Sequence, residues 1–432
     1  MPQPDTLRLA IVHWFPVEQF PPVQNLLQLL ATERELHGHC LTTANDRGLP
    51  DFAATQVTIE RRPFPSRTMG RLLRIWLLLS FPIWACWRLF RLRPHALLYF
   101  EPHSSAVAFL YLLLNPRCRL LIHYHEYREP REYRDPGNRL FGLYHRLERR
   151  FLYRRAVWIS QTNPDRVRLC LQDIPAVAAI KMRVLPNYPP AAWQQVQRAA
   201  RGDSDPLRLI YIGAASIRDT FIREVVQWVS RQSPDRLKLT VYINNSDAET
   251  QQMLQQAAAV YSHITVSLQG VPYQQLPHLL CQFDVGLVLY RGNTPNYVYN
   301  APNKLFEYLA CGLDVWYPGC MLGIRPYARS DVRPQVLETD FQRLAELDLG
   351  ARICRQLPYQ PWQDSSEAVL QPLLQAAAGR RSVVSEASRR RQPTGAGAAD
   401  CGHPCRTPGH CRTRLAFECL FVLRAWSVDG TC

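Results

Sequence analysis

The chain has 432 residues, 47% apolar and 20% charged, long enough for two domains and rich enough to bury a sizeable core. That composition excludes wholesale disorder and collagen-like repeats. Lys and Arg outnumber Asp and Glu by 51 to 36, a net charge of +15 that favours anionic partners: phosphates, an acidic membrane face or nucleic acid.

Residues 1–5 carry no basic cluster, and the apolar run at 7–12 is too short and too early for a signal peptide. That run reads instead as the buried first strand of a parallel sheet. At 75–87 lies an uncharged apolar run of 13 residues containing Pro82, short of the roughly 20 needed to cross a bilayer. Arg71, Arg74, Arg88, Arg91 and Arg93 flank it, and Trp76, Trp84 and Trp87 lie within it. Such a segment reads either as a first-domain helix packed on the sheet or as one lying on an anionic membrane face.

Strand-like runs follow at 96–100, 120–124 and 157–160. A Pro-rich polar stretch from 187 to 206 marks a hinge. After it the strand–helix alternation starts again. The run at 207–212 matches the one at 7–12, further strands are expected at 237–243, 264–268 and 285–289, and helices at 221–231, 249–261 and 273–282. Two α/β Rossmann-like, doubly wound domains facing across a cleft are the expected architecture. Residues 1–186 are expected to form the first domain, 187–206 the linker and 207–378 the second domain. From 379 to 432 the alternation stops, and an unstructured Arg- and Cys-rich tail is expected.

Of 13 cysteines, eight are scattered between Cys40 and Cys354 and read as reduced thiols of a cytoplasmic protein. In the tail, Cys401, His403, Cys405, His410 and Cys411 lie close together, but their spacing matches no usual zinc pattern. Asp203-Ser204-Asp205 has the D-x-D form of a metal-dependent transferase, yet it stands in the polar linker, where a solvated loop is expected. No metal site is assigned.

The most informative stretch runs from Asn300 to Val315. Pro302 and Asn303 are start signals for a short helix, and Gly312 stands where a glycine ends one. Lys304 and Glu307, three residues apart, share a face. Backbone N–H groups at a helix N-terminus favour an anion, and Lys304 would reinforce them. A carboxylate one turn further in could accept hydrogen bonds from vicinal hydroxyls, so a diphosphate with a ribose is a sensible ligand. The same spacing also fits a surface Lys–Glu pair on an ordinary helix.

Residues 306–312, Phe-Glu-Tyr-Leu-Ala-Cys-Gly, resemble the donor-site helix of retaining GT-B glycosyltransferases, especially family 4. The resemblance covers roughly 7–378 and implies that Glu307 holds the nucleotide ribose and Lys304 contacts the diphosphate, with Asn303 of the Asn-Lys pair also in the donor site. The family often carries a second glutamate where this chain has Tyr299, and a proline where it has Asp314. Gly213, after the strand at 207–212, would be the turn close to the donor phosphates, with Arg218 the basic residue following it. In the first half, residues 121–127 resemble the family's strand ending in His-Glu. That similarity makes His125 the catalytic candidate facing the donor sugar, with Glu126 its neighbour and His123 an alternative.

The implied activity is transfer of a sugar from a nucleoside-diphosphate sugar to a hydroxyl acceptor on a polysaccharide, a lipid-linked carrier or a small molecule. Retention is implied, with no metal and no cofactor beyond the donor substrate. The implied location is the cytoplasm or the inner face of the cell membrane, in cell-surface polysaccharide synthesis. A nucleotide-sugar epimerase of the same architecture is the alternative. A non-enzymatic basic module binding RNA or membrane is a further one, though no aromatic RNA-binding motif is present and nucleic acid is not an expected partner.

Overall fold

The computed structural model describes residues 7–45, 50–66, 69–135, 139–175, 177, 181–198, 202, 205–352 and 356–379. The tail cysteines, Asp203 and Ser204 lie outside these residues, as does the expectation of an unstructured tail beyond Gly379.

Two parallel sheets organise the chain. The first contains β1 (Leu7–His13), β2 (Leu36–Thr43), β3 (Val57–Arg62), β4 (Ala96–Phe100), β5 (Arg119–Tyr124), β6 (Ala156–Gln161) and β7 (Met182–Val184), in the order β3-β2-β1-β4-β5-β6-β7. The second contains β8 (Leu207–Ala215), β9 (Leu237–Ser246), β10 (Ile264–Ser267), β11 (Val285–Leu287), β12 (Asp314–Tyr317) and β13 (Val336–Glu338), in the order β10-β9-β8-β11-β12-β13. Each sheet reverses direction beside its first strand, between β1 and β4 and between β8 and β11. In a parallel sheet, a crevice opens at the strand C-termini where the order reverses.

The strands are apolar because helices cover both faces of each sheet. On one face of the first sheet, Ala10, Val12, Leu97 and Tyr99 pack with Phe81, Ala85 and Leu89 of the helix Arg71–Leu92 and with Val107 and Tyr111 of the helix Ser105–Leu114. On the other face, Leu9, Ile11 and Leu98 pack with Leu26 and Leu30 of the helix Pro21–Thr32.

Three features differ from the sequence reading. Strands β2, β3, β7, β12 and β13 went unread: β2 carries two histidines and a glycine, β3 is an edge strand ending in Glu60, Arg61 and Arg62, and the other three are only three or four residues long. The apolar run at 75–87 sits within a helix of 22 residues, which meets the length and composition of a membrane span although its inner face is buried on the sheet. The helix Ser366–Ala378, within the segment expected to form the second domain, packs through Leu370, Leu373, Leu374 and Ala377 on the first sheet. The seven cysteines among the described residues are all free.

Candidate functional site

The site is built from strand ends. In the second domain, Gly213 lies near the end of β8 with φ +129°, a left-handed conformation that favours glycine. The glycine is also needed sterically: a Cβ there would overlap the Lys304 ammonium and lie 2.9 Å from its Cε. Lys304 stands in the first turn of the helix Asn303–Ala310, which begins after Pro302 in extended conformation (φ −72°, ψ 155°) and ends at Gly312 with φ +76°. Asn303 opens the helix and is half-buried.

The Lys304 Nζ is enclosed, 4.5 Å from the Tyr211 ring centre and 5.2 Å from that of Tyr290. Burial opposes its charge, but the two tyrosines outweigh burial and hold its pKa above the ordinary lysine value. No carboxylate lies within ion-pair distance of it among the described residues. Glu307, one turn further along, is buried, and burial raises its carboxyl to about 7 although the Lys304 charge pulls the other way. Gly213, Asn303, Lys304 and Glu307 thus share one neighbourhood. Arg218 is exposed on the turn after β8, beside Asp219, with its carbonyl accepting a hydrogen bond from Asn293 Nδ2 at 3.2 Å.

Across the crevice, β1, β4 and β5 end in a cluster of imidazoles. His125 is buried, stacked on Phe100 (centroids 5.1 Å apart, 6° between planes) and edge-on to His123 at 4.8 Å. Neither ring nitrogen of His125 has a hydrogen-bond partner, and the His13 ring lies 6.2 Å away. Burial, aided by His123, His13 and Arg166, keeps the His125 pKa well below the ordinary histidine value, so the ring is neutral at physiological pH. His123 is committed elsewhere, with Nδ1 2.8 Å from the Ser160 hydroxyl, and burial lowers its pKa to about 3. Glu126 reaches out to Arg128 at 3.8 Å.

Two residues of this half escaped the sequence reading. Glu101, directly after β4, has φ +59°, uncommon for a non-glycine residue, and its Oε1 accepts the His125 backbone N–H at 2.7 Å. Burial raises the Glu101 carboxyl to about 7 against the opposing charge of Arg128. Arg166, also buried, donates from Nη1 to the His125 carbonyl at 2.7 Å and from Nη2 to Asn296 Oδ1 at 2.6 Å. Asn296 Oδ1 accepts the Tyr127 N–H at 3.1 Å as well, and Asn163 donates to the Tyr299 carbonyl at 2.6 Å. These bonds tie the His125 strand end to the second domain. They also occupy Tyr299, whose ring lies under the Arg168 guanidinium at 5.5 Å. A glutamate flanked by a strand end and an arginine opening a helix carry no local signal of such roles.

Chemically, one side of the crevice offers a buried cation at a helix N-terminus with a carboxyl one turn away. The other side offers neutral imidazoles, with both ring nitrogens of His125 free. No family model and no curated protein matches the sequence. Solved structures do match the fold. Sucrose-phosphate synthase from Thermosynechococcus elongatus superposes with a TM-score of 0.56 at 15% identity, over 89% of this chain and 94% of that one. Anabaena HepE in complex with UDP and glucose gives 0.51 at 11%, over 76% and 84%. A UDP-N-acetylglucosamine 2-epimerase gives 0.54 at 11%, over 87% and 98%. The chain therefore has the GT-B architecture, two Rossmann-like domains facing across a cleft.

Proposed function

We propose that this protein is a glycosyltransferase that moves a sugar from a nucleoside-diphosphate sugar to a hydroxyl acceptor with retention of anomeric configuration, in the manner of family 4. The observation that carries the reading is Lys304: a buried ammonium without an ion-pair partner among the described residues, at a helix N-terminus, held beside Gly213 with the Glu307 carboxyl one turn away. A diphosphate fits this position, because the helix N–H groups and Lys304 supply positive charge opposite the negative charge that the leaving group develops. Arg218 stands on the neighbouring turn, where it can meet the outer phosphate. Glu307 in its charged form accepts both ribose hydroxyls, and Asn303 lies at the same helix start.

His125 serves the sugar. Being neutral, it acts at physiological pH as a hydrogen-bonding group, one ring nitrogen donating and the other accepting, and not as an acid. Glu101 holds the His125 backbone through its Oε1. A front-face displacement, in which the departing phosphate takes the acceptor's proton, needs no protein nucleophile and no metal.

The likeness to a UDP-N-acetylglucosamine 2-epimerase supports a second reading, epimerisation of the donor alone. A thermal-shift screen against UDP-, GDP-, ADP- and dTDP-sugars tests donor binding, since a ligand that binds the folded state raises its melting temperature. Product analysis with the stabilising donor alone separates the two: an altered sugar without acceptor means epimerase, an unaltered donor consumed only with an acceptor means transferase. No stabilisation by any nucleotide sugar would overturn both.

A further inference from the structure

We propose that the helices Arg71–Leu92, Ser105–Leu114 and Arg139–Leu147, with the turn Glu148–Arg155, form one surface that seats the protein on an anionic lipid bilayer. The three lie side by side on one face of the first sheet, linked by the Phe90–Tyr111 and Phe109–Phe151 ring contacts at 5.3 and 5.1 Å. Their outward sides are apolar. On the first helix, Leu72, Trp76, Leu79, Ile83, Trp87 and Phe90 recur at intervals of three and four and face solvent, Leu72 84% and Ile83 69% exposed. The second helix continues the patch with Leu113 and Leu114, the latter 74% exposed. A soluble monomer rarely leaves so much contiguous apolar surface uncovered.

Charge identifies what covers it. No acid occurs between Glu60 and Glu101 or from residue 102 to 125. The segment 139–155 holds six arginines and a single acid, Glu148, whose carboxylate is turned inward to the Tyr99 and Tyr124 hydroxyls. Arg146, Arg149, Arg150 and Arg154 surround an open recess of about 590 Å³ beside Phe151, without an ion pair among the described residues. Apolar side chains beside unneutralised arginines match acyl chains below anionic headgroups. A second copy of this chain fits poorly, because a two-fold contact on this face would set arginine against arginine. The helix lies in the plane and does not cross the membrane, since Leu77, Phe81, Ala85 and Leu89 are core residues of the sheet. Of the flanking arginines, Arg88 is taken up by Glu60 and so contributes little to lipid binding.

The test is vesicle flotation of the full chain with phosphatidylcholine alone or mixed with phosphatidylglycerol. The wild type should float only with the anionic vesicles and be released by high salt. Leu79→Glu/Ile83→Glu should lower partitioning at least tenfold, and Arg149→Gln/Arg150→Gln roughly tenfold, because each basic residue near the surface contributes a several-fold effect. All these side chains are exposed, so melting temperature and nucleotide affinity should stay at wild-type values, which keeps this test separate from that of the donor site. A wild type that ignores anionic vesicles, or variants that bind as it does, would overturn the proposal. So would a concentration-dependent dimer in sedimentation velocity that the Leu79→Glu/Ile83→Glu variant abolishes.

Discussion

Glu307 and Glu101 are the most informative single residues, since both are carboxyls that burial raises from 4.5 to about 7. The folded protein therefore holds protons that the unfolded chain releases. Their contribution to stability is fully present below about pH 4.5 and is lost as the pH rises through about 7. Glu307→Gln and Glu101→Gln should each flatten the fall in melting temperature across that window. An unchanged slope in either variant would mean that its carboxyl is solvated.

Binding gives a second check at the same residues. Two charge-assisted hydrogen bonds to a ribose contribute about 1.5–3 kcal/mol each, so Glu307→Gln, which removes the charge and one acceptor, should weaken nucleotide binding roughly 10- to 100-fold by calorimetry. Lys304→Ala should weaken a diphosphate donor while sparing the bare nucleoside. Gly213→Ala should imitate it, because the new methyl group takes the space of the Lys304 ammonium. Normal donor affinity in Glu307→Gln would return Lys304 and Glu307 to a structural pair.

Elements matter through their ends. The helix Pro164–Asp173 is capped by Asn163, whose Oδ1 accepts the Arg166 N–H at 2.9 Å, and this cap carries Arg166 to the Asn296 turn of the second domain. Asn296→Ala removes the Oδ1 acceptor shared by Arg166 and Tyr127, leaving the Arg166 Nη2 with the Asn296 backbone carbonyl at 3.0 Å and the Tyr127 N–H without its acceptor. The expected result is a larger radius of gyration in solution scattering and about tenfold weaker nucleotide binding, with both domains still folded. An unchanged radius and affinity would show that the bridge does not hold the domains together. The helix Asn303–Ala310 was legible beforehand because its start, its stop and its Lys–Glu face are all local. Strands β2 and β3 were not, because their polar residues are tolerated only where neighbouring strands and an edge position accommodate them.

For the molecule as a whole, the helix Ser366–Ala378 runs back from the second half of the chain to the first sheet. Its Ser366 N–H donates to the Pro189 carbonyl in the linker at 2.9 Å, and its Leu370, Leu373 and Leu374 bury against the core around Leu9 and Ile11. Truncation after residue 379 should leave melting temperature and nucleotide affinity nearly unchanged. Truncation after residue 365 should lower the melting temperature by many degrees, since three buried leucines each stabilise by about 1.5–3 kcal/mol. Equal melting temperatures for the two truncations would show that the returning helix does not support the first domain.

The sequence by itself determined the alternation of strand and helix, the two-domain α/β architecture and the Lys304–Glu307 face, because hydrophobic period, helix caps and i, i+3 spacing act over a few residues. It also singled out His125 and Gly213, through resemblance more than physics. Only the tertiary structure brought Glu101 under the His125 backbone, gathered His13 and His125 into one cluster with the His125 nitrogens free, and carried Arg166 across to Asn296. Those placements arise where strands distant in sequence end side by side, and a buried carboxyl or guanidinium has no local signature: its surroundings, not its neighbours in the chain, set its charge and its partner.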